Sequence, residues 1–178
     1  SKKVVAVQAL FLEEPIVDAV WDEAMRSYQA ECAKSFGARP HMTIASFSLD
    51  DEEISEISNH FERLNHRYPA VRIPVILRAR KADNTITYSL IPAAEDSFLI
   101  RVHDAVYHDV DNGYTRYRAI DEPGKWRPHV SMFSLSADKE KQVAEWIEKV
   151  ERIDTLTIKG FTLLAFPIKY LKEIQVST

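Results

Sequence analysis

The chain of 178 residues has one cysteine, Cys32. That excludes an intrachain disulfide and any cysteine-rich zinc site, and it fits a reducing compartment. No apolar stretch approaches the roughly 20 residues needed to span a bilayer. Lys2 and Lys3 lead only into a short apolar run broken by Gln8, which does not read as a secretory leader. The cytoplasm is therefore the expected compartment, with no membrane partner. Positive charge is also in short supply. A net charge of −4 argues against broad binding to long nucleic acid, where counterion release needs a cationic surface. Glycine numbers four, and Asn112-Gly113 is too short for a phosphate-binding loop. No P-loop or dinucleotide fingerprint is found. His103 and His108 stand five apart, not at the i, i+4 spacing of helical zinc ligands, and with His60 and His66 they read as solvated surface residues. Neither a metal nor a cofactor is expected.

What is present describes an ordinary globule, with 46% apolar and 28% charged residues. Its length suits one domain over residues 1–178, large enough to bury about 70% of its unfolded surface without staples. The apolar pattern predicts strands over 4–12, 41–48, 71–81, 85–91, 129–135, 153–166 and 168–176. It predicts helices over 15–35, with Cys32 on the packing stripe, from Asp50 or Asp51 to about Arg67, over 95–110, and from Ser136 or Asp138 to Val150. A long loop, 111–127, carries Tyr114, Tyr117 and Trp126 and reads as a functional lid or a mobile connector. Its aromatic rings are candidates for stacking on a base. Positive charge is local: Arg72, Arg78, Arg80 and Lys81 in one segment, and Arg116, Arg118, Lys125 and Arg127 in another. Each cluster is either solvated strand charge or part of a small basic cleft.

One repeat stands out. Arg39-Pro40-His41-Met42-Thr43-Ile44 returns 88 residues later as Arg127-Pro128-His129-Val130-Ser131-Met132. Both read Arg-Pro-His, apolar, hydroxyl, apolar. A period of half the chain suggests duplication of a structural unit, giving an α+β domain of two similar lobes. On a strand, residues two apart share a face, so His41 and Thr43, with Ala45, should face one way and Met42, Ile44 and Ser46 the other. His129 and Ser131 should pair likewise. An imidazole titrates near neutrality and a hydroxyl can donate to a phosphoryl oxygen. Two such pairs suit in-line displacement at phosphorus, which needs a base at the attacking oxygen and an acid at the leaving one. Arg39 and Arg127 either reach the phosphate or anchor the strand entries. If instead both motifs are core strands, function lies elsewhere.

The strings HMT and HVS, one per half, resemble the two His-x-Thr/Ser signatures of the 2H phosphoesterases, which include 2′-5′ RNA ligase-like proteins and cyclic phosphodiesterases. The resemblance implies two pseudo-symmetric lobes whose antiparallel sheets line a central cleft, with helices outside. It implies a metal-independent phosphodiesterase acting on a 2′,3′-cyclic phosphate or related cyclic phosphodiester, at an RNA end or in a small nucleotide. His41 and His129 become the acid/base pair, with Thr43 and Ser131 as phosphate ligands; we expect His41 as donor and His129 as acceptor, the roles exchanging in the reverse reaction. Arg39, Arg127, Tyr117 and Trp126 are the remaining substrate-binding candidates, and a monomer is expected. Ile44 and Met132 stand where the ligase-like branch carries Leu, which points away from 2′-5′ RNA ligation. Ligation and a non-catalytic nucleotide or RNA-end binding module remain the alternatives.

Overall fold

In a computed structural model describing residues 1–178, the elements run β1 (Lys3–Phe11), α1 (Glu14–Tyr28), β2 (Met42–Leu49), α2 (Asp51–Glu62), β3 (Val71–Ala82), β4 (Thr85–Pro92), α3 (Ser97–Val110), β5 (Val130–Ser136), α4 (Glu140–Val150), β6 (Thr155–Ala165) and β7 (Lys169–Gln175). The strand order is β2-β1-β6-β3-β4-β5, every neighbour antiparallel, with β7 also on β6. β3 joins the lobes: Val71–Pro74 pairs with β6, and Val75–Ala82 with β4. β7 takes the rest of that β6 edge, Gly160 to Ala165. At Gly160 a Cβ would collide with the Ile174 carbonyl, so only glycine lets these two strands approach.

The lobes thus read β2-β1-β6-β7 and β5-β4-β3, with a motif strand at the outer position of each. Although β2 and β5 end opposite edges of the sheet, they approach one another, so the two lobes face across a cleft. The helices cross over. α1 follows β1 yet packs on β5, Tyr28 meeting Trp146, which meets Phe133. α3 follows β4 yet packs on β2, Tyr107 meeting Phe47. Their trailing segments cross too. Glu31 bridges to Ser134 of β5, and Arg116 bridges to Phe47 of β2, which covers backbone that edge strands would otherwise leave unpaired. One apolar core runs through both lobes.

Local chemistry starts and stops these elements. Pro15 sits in the first turn of α1, where no N–H is missed. Asp50 and Glu53 form a capping box on α2, and Asp96 caps α3 through the Leu99 N–H. α1 ends earlier than its apolar stripe predicts, at left-handed Gln29. Extended backbone follows because Glu31 must reach β5, so Cys32 is buried beyond the helix. α2 likewise stops at Glu62, short of Arg67.

Both motif strands carry a β-bulge at the same place in the repeat. In the β1–β2 ladder Val7 pairs with Ala45 but Gln8 with Thr43, leaving Ile44 as the extra residue. In the β4–β5 ladder Tyr88 pairs with Phe133 but Ser89 with Ser131, leaving Met132 extra. The duplication therefore extends to backbone irregularity.

Candidate active site

Each motif histidine is held the same way. Nδ1 of His41 lies 2.6 Å from the Arg39 carbonyl oxygen, and Nδ1 of His129 lies 2.9 Å from that of Arg127. A carbonyl only accepts, so Nδ1 carries a proton in both rings, and Nε2 is the nitrogen left to gain or lose one. The intervening Pro40 and Pro128 restrict the backbone, favouring extended arginines whose carbonyls turn to the rings. Both imidazoles are half-buried. Burial pushes the His41 pKa below the ordinary histidine value, the Arg39 carbonyl opposes that, and the nearby His129 charge lowers it further.

Partners across an antiparallel ladder share a face. One row runs Thr162–Gln8–Thr43 from β6 to β2, and its counterpart runs Arg78–Ser89–Ser131 from β3 to β5. The bulge corrects one expectation. Beyond Ile44 the alternation shifts by one, so Ser46, paired with Ala6, joins the face of Thr43, and Ala45 turns to the other side. Ser46 donates from Oγ to Asp121 Oδ2 at 2.6 Å.

A cavity of about 440 Å³ opens beside the first half-site, lined by His41, Thr43, Gln8, Phe36, Tyr117 and Arg118 among others. Tyr117 is 56% exposed there. Trp126 is not open to a base. It is 8% exposed, stacks on His103 and donates its indole N–H to the Thr43 carbonyl at 2.9 Å. The two arginines of the repeat also diverge. Arg39 is pinned by Glu14 and Glu173, which hold its guanidinium firmly charged, so it anchors the strand entry. Arg127 is exposed and lines a second cavity of about 430 Å³ with Arg78, Glu95 and Asp96.

His103 is not a solvated helix residue. It is 1% exposed, and its Nε2–H lies 2.8 Å from the Ile44 carbonyl and 2.9 Å from that of Asp121. Its place on the apolar stripe of Leu99, Val102, Val106, Tyr107 and Val110 carries that signal in the sequence. Segment 111–127 is tied to β2 by the Tyr117 N–H to Ser46 carbonyl bond, by Asp121 and by Trp126. Gln8, a lone polar residue in an apolar strand, and Ser89 join the site only through strand pairing. No three His, Cys, Asp or Glu side chains gather where they could hold a metal, and no helix is long and apolar enough to cross a membrane.

Comparison with known proteins adds the backbone. No sequence-family profile and no curated protein matches the chain. Solved structures do. Escherichia coli LigT complexed with 3′-AMP superposes with a TM-score of 0.59 at 13% identity, over 100% of each chain. Apo E. coli LigT gives 0.59 at 12% identity over 99% of each, and a crystal structure described as a phosphoesterase gives 0.56 at 12% over 100% of each. At such identity the likeness speaks for architecture alone, and it covers both lobes with their repeated motifs: the chain has the fold of E. coli LigT.

Proposed function

We propose that the protein is a phosphodiesterase that opens a 2′,3′-cyclic phosphate, or a related cyclic phosphodiester of a nucleotide or RNA end, by acid–base catalysis from His41 and His129 without a metal. Residues 1–178 act as one bilobed domain. The observation that carries this reading is the matched geometry of the two rings: each gives Nδ1–H to the carbonyl two residues back, leaving Nε2 for proton transfer.

Thr43 and Ser131 donate to the non-bridging phosphoryl oxygens. Water attacks phosphorus in line and its proton passes to Nε2 of one neutral imidazole, while the bond to the departing ribose oxygen breaks and that oxygen takes the Nε2 proton of the other ring, which enters the step as imidazolium. Burial and repulsion from His129 favour the neutral form of the His41 ring, so we assign His41 as the base in the hydrolytic direction and His129 as the acid. This exchanges the expected roles of His41 as donor and His129 as acceptor. It follows from burial of the His41 ring together with repulsion from His129.

Turnover of 2′,3′-cyclic nucleotides and cyclic-phosphate RNA, followed in EDTA, tests the proposal. His41→Ala and His129→Ala should each lower kcat by about two to four decades, the usual range for acid–base groups. Undiminished turnover by either variant overturns it.

A further inference from the structure

Gln8 is 2% exposed on β1, and its Oε1 has no hydrogen-bond partner. A buried amide left unpaired is costly, and a β-branched or aromatic residue would suit the strand better. The neighbouring hydroxyls do not serve it. Thr162 donates to the Lys172 carbonyl at 2.8 Å, and Ser46 to Asp121. The amide instead lines the cavity shared with His41 and Thr43, one strand further from the opposite lobe than Thr43. The other walls of that cavity are largely apolar and include Phe36, 77% exposed, Tyr117, 56% exposed, and Ile168. A slot of this kind suits a flat ring. A primary amide offers an acceptor and a donor side by side, the complement of a heterocycle that carries both along one edge.

We propose that Gln8 is a specificity-determining residue: its side-chain amide hydrogen-bonds the nucleobase edge of a nucleotide whose phosphate lies at Thr43. The inference rests on the phosphodiesterase reading and assigns the group that leaves the phosphate on the β1 side.

The test compares wild type with Gln8→Met on uridine and adenosine 2′,3′-cyclic phosphates and on glycerol 1,2-cyclic phosphate, which has no base. The variant should lose about tenfold in kcat/KM on the nucleotides, the size of one or two neutral hydrogen bonds, and the loss should fall on KM. On the base-free diester it should match wild type, and its Tm should be no lower, since no internal bond is removed. Equal losses on both substrate types, no loss on the nucleotides, a loss confined to kcat, or a lowered Tm overturns the proposal. If wild type opens none of these diesters, the phosphodiesterase reading fails, and calorimetric titration with uridine 3′-monophosphate decides the Gln8 assignment separately. Weaker binding by the variant supports it; equal binding, or binding by neither protein, overturns it.

Discussion

His103 lies face to face with Trp126, ring centroids 3.9 Å apart and planes 15° apart. The two rings hold consecutive carbonyls of the first motif strand, Trp126 that of Thr43 and His103 that of Ile44. These are the hydroxyl residue of the motif and its bulge residue. Both rings come from the half of the chain that carries the second motif, so the crossed connections make each lobe the support of the other.

Trp126→Phe removes the indole N–H and leaves a smaller ring against His103. It leaves the Thr43 carbonyl without that donor, which should cost about 1–3 kcal/mol of stability. Because the strand beneath Thr43 then loosens, kcat should fall with it. Urea denaturation measures the first effect and steady-state kinetics the second; an unchanged denaturation midpoint would contradict the support role.

Acid should weaken the fold through His103. Burial lowers its pKa from the ordinary histidine value, against opposing contributions from Asp104 and the two carbonyls. The unfolded chain then binds the proton more readily than the folded one, so stability rises with pH where that difference operates. The contribution is present above the unfolded value of about 6.5 and is lost as pH falls from there toward the lower folded value. The buried, depressed His41 acts in the same direction. Urea midpoints measured between pH 7.5 and 5 should decline, and His103→Gln should flatten that decline whatever it does to stability at pH 7.5.

These residues also mark what the sequence makes legible. The repeat and the strand and helix order are local patterns, and they agree with the structure, although each motif histidine stands one residue before its strand. The bulges at Ile44 and Met132 break the period of two on which any face assignment rests, so Ser46 shares a face with Thr43 that alternation gives to Ala45. α1 overran its end because Cys32 continues the helical stripe while the backbone leaves to pair with β5. His103 and Gln8 are polar residues at apolar positions, and their partners lie on elements distant in sequence. Crossed packing of α1 and α3 is a tertiary choice that periodicity does not encode.

The two motif rings are near enough for the charge of one to act on the other. His129 lowers the pKa of His41 by charge repulsion, so His129→Ala should raise the His41 midpoint, read from its ring proton resonances across pH 4–8. An unchanged or lower midpoint would mean that the rings do not sense each other. On the proposed mechanism the wild-type rate profile should have an acid limb. Activity should fall on that limb as His41 takes up its proton and ceases to be a base.

Arg39 and Arg127 occupy equivalent places in the repeat yet have different surroundings. Arg39 meets Glu14, whose side chain is 14% exposed, and Glu173. Its removal leaves Glu14 with only the more distant Lys159, at 3.7 Å. Arg39→Ala should therefore destabilise the fold by about 1–3 kcal/mol, as expected when a buried acceptor loses its charged donor. Arg127 is exposed, so Arg127→Ala should change stability by no more than about 0.5 kcal/mol. It faces the cavity with Arg78, and if the proposed function holds and it meets the substrate phosphate there, its loss should raise KM at unchanged kcat, more steeply at low salt. Thermal melting and kinetics on the two variants separate anchor from contact. A drop in Tm for Arg127→Ala equal to that for Arg39→Ala would make both of them anchors.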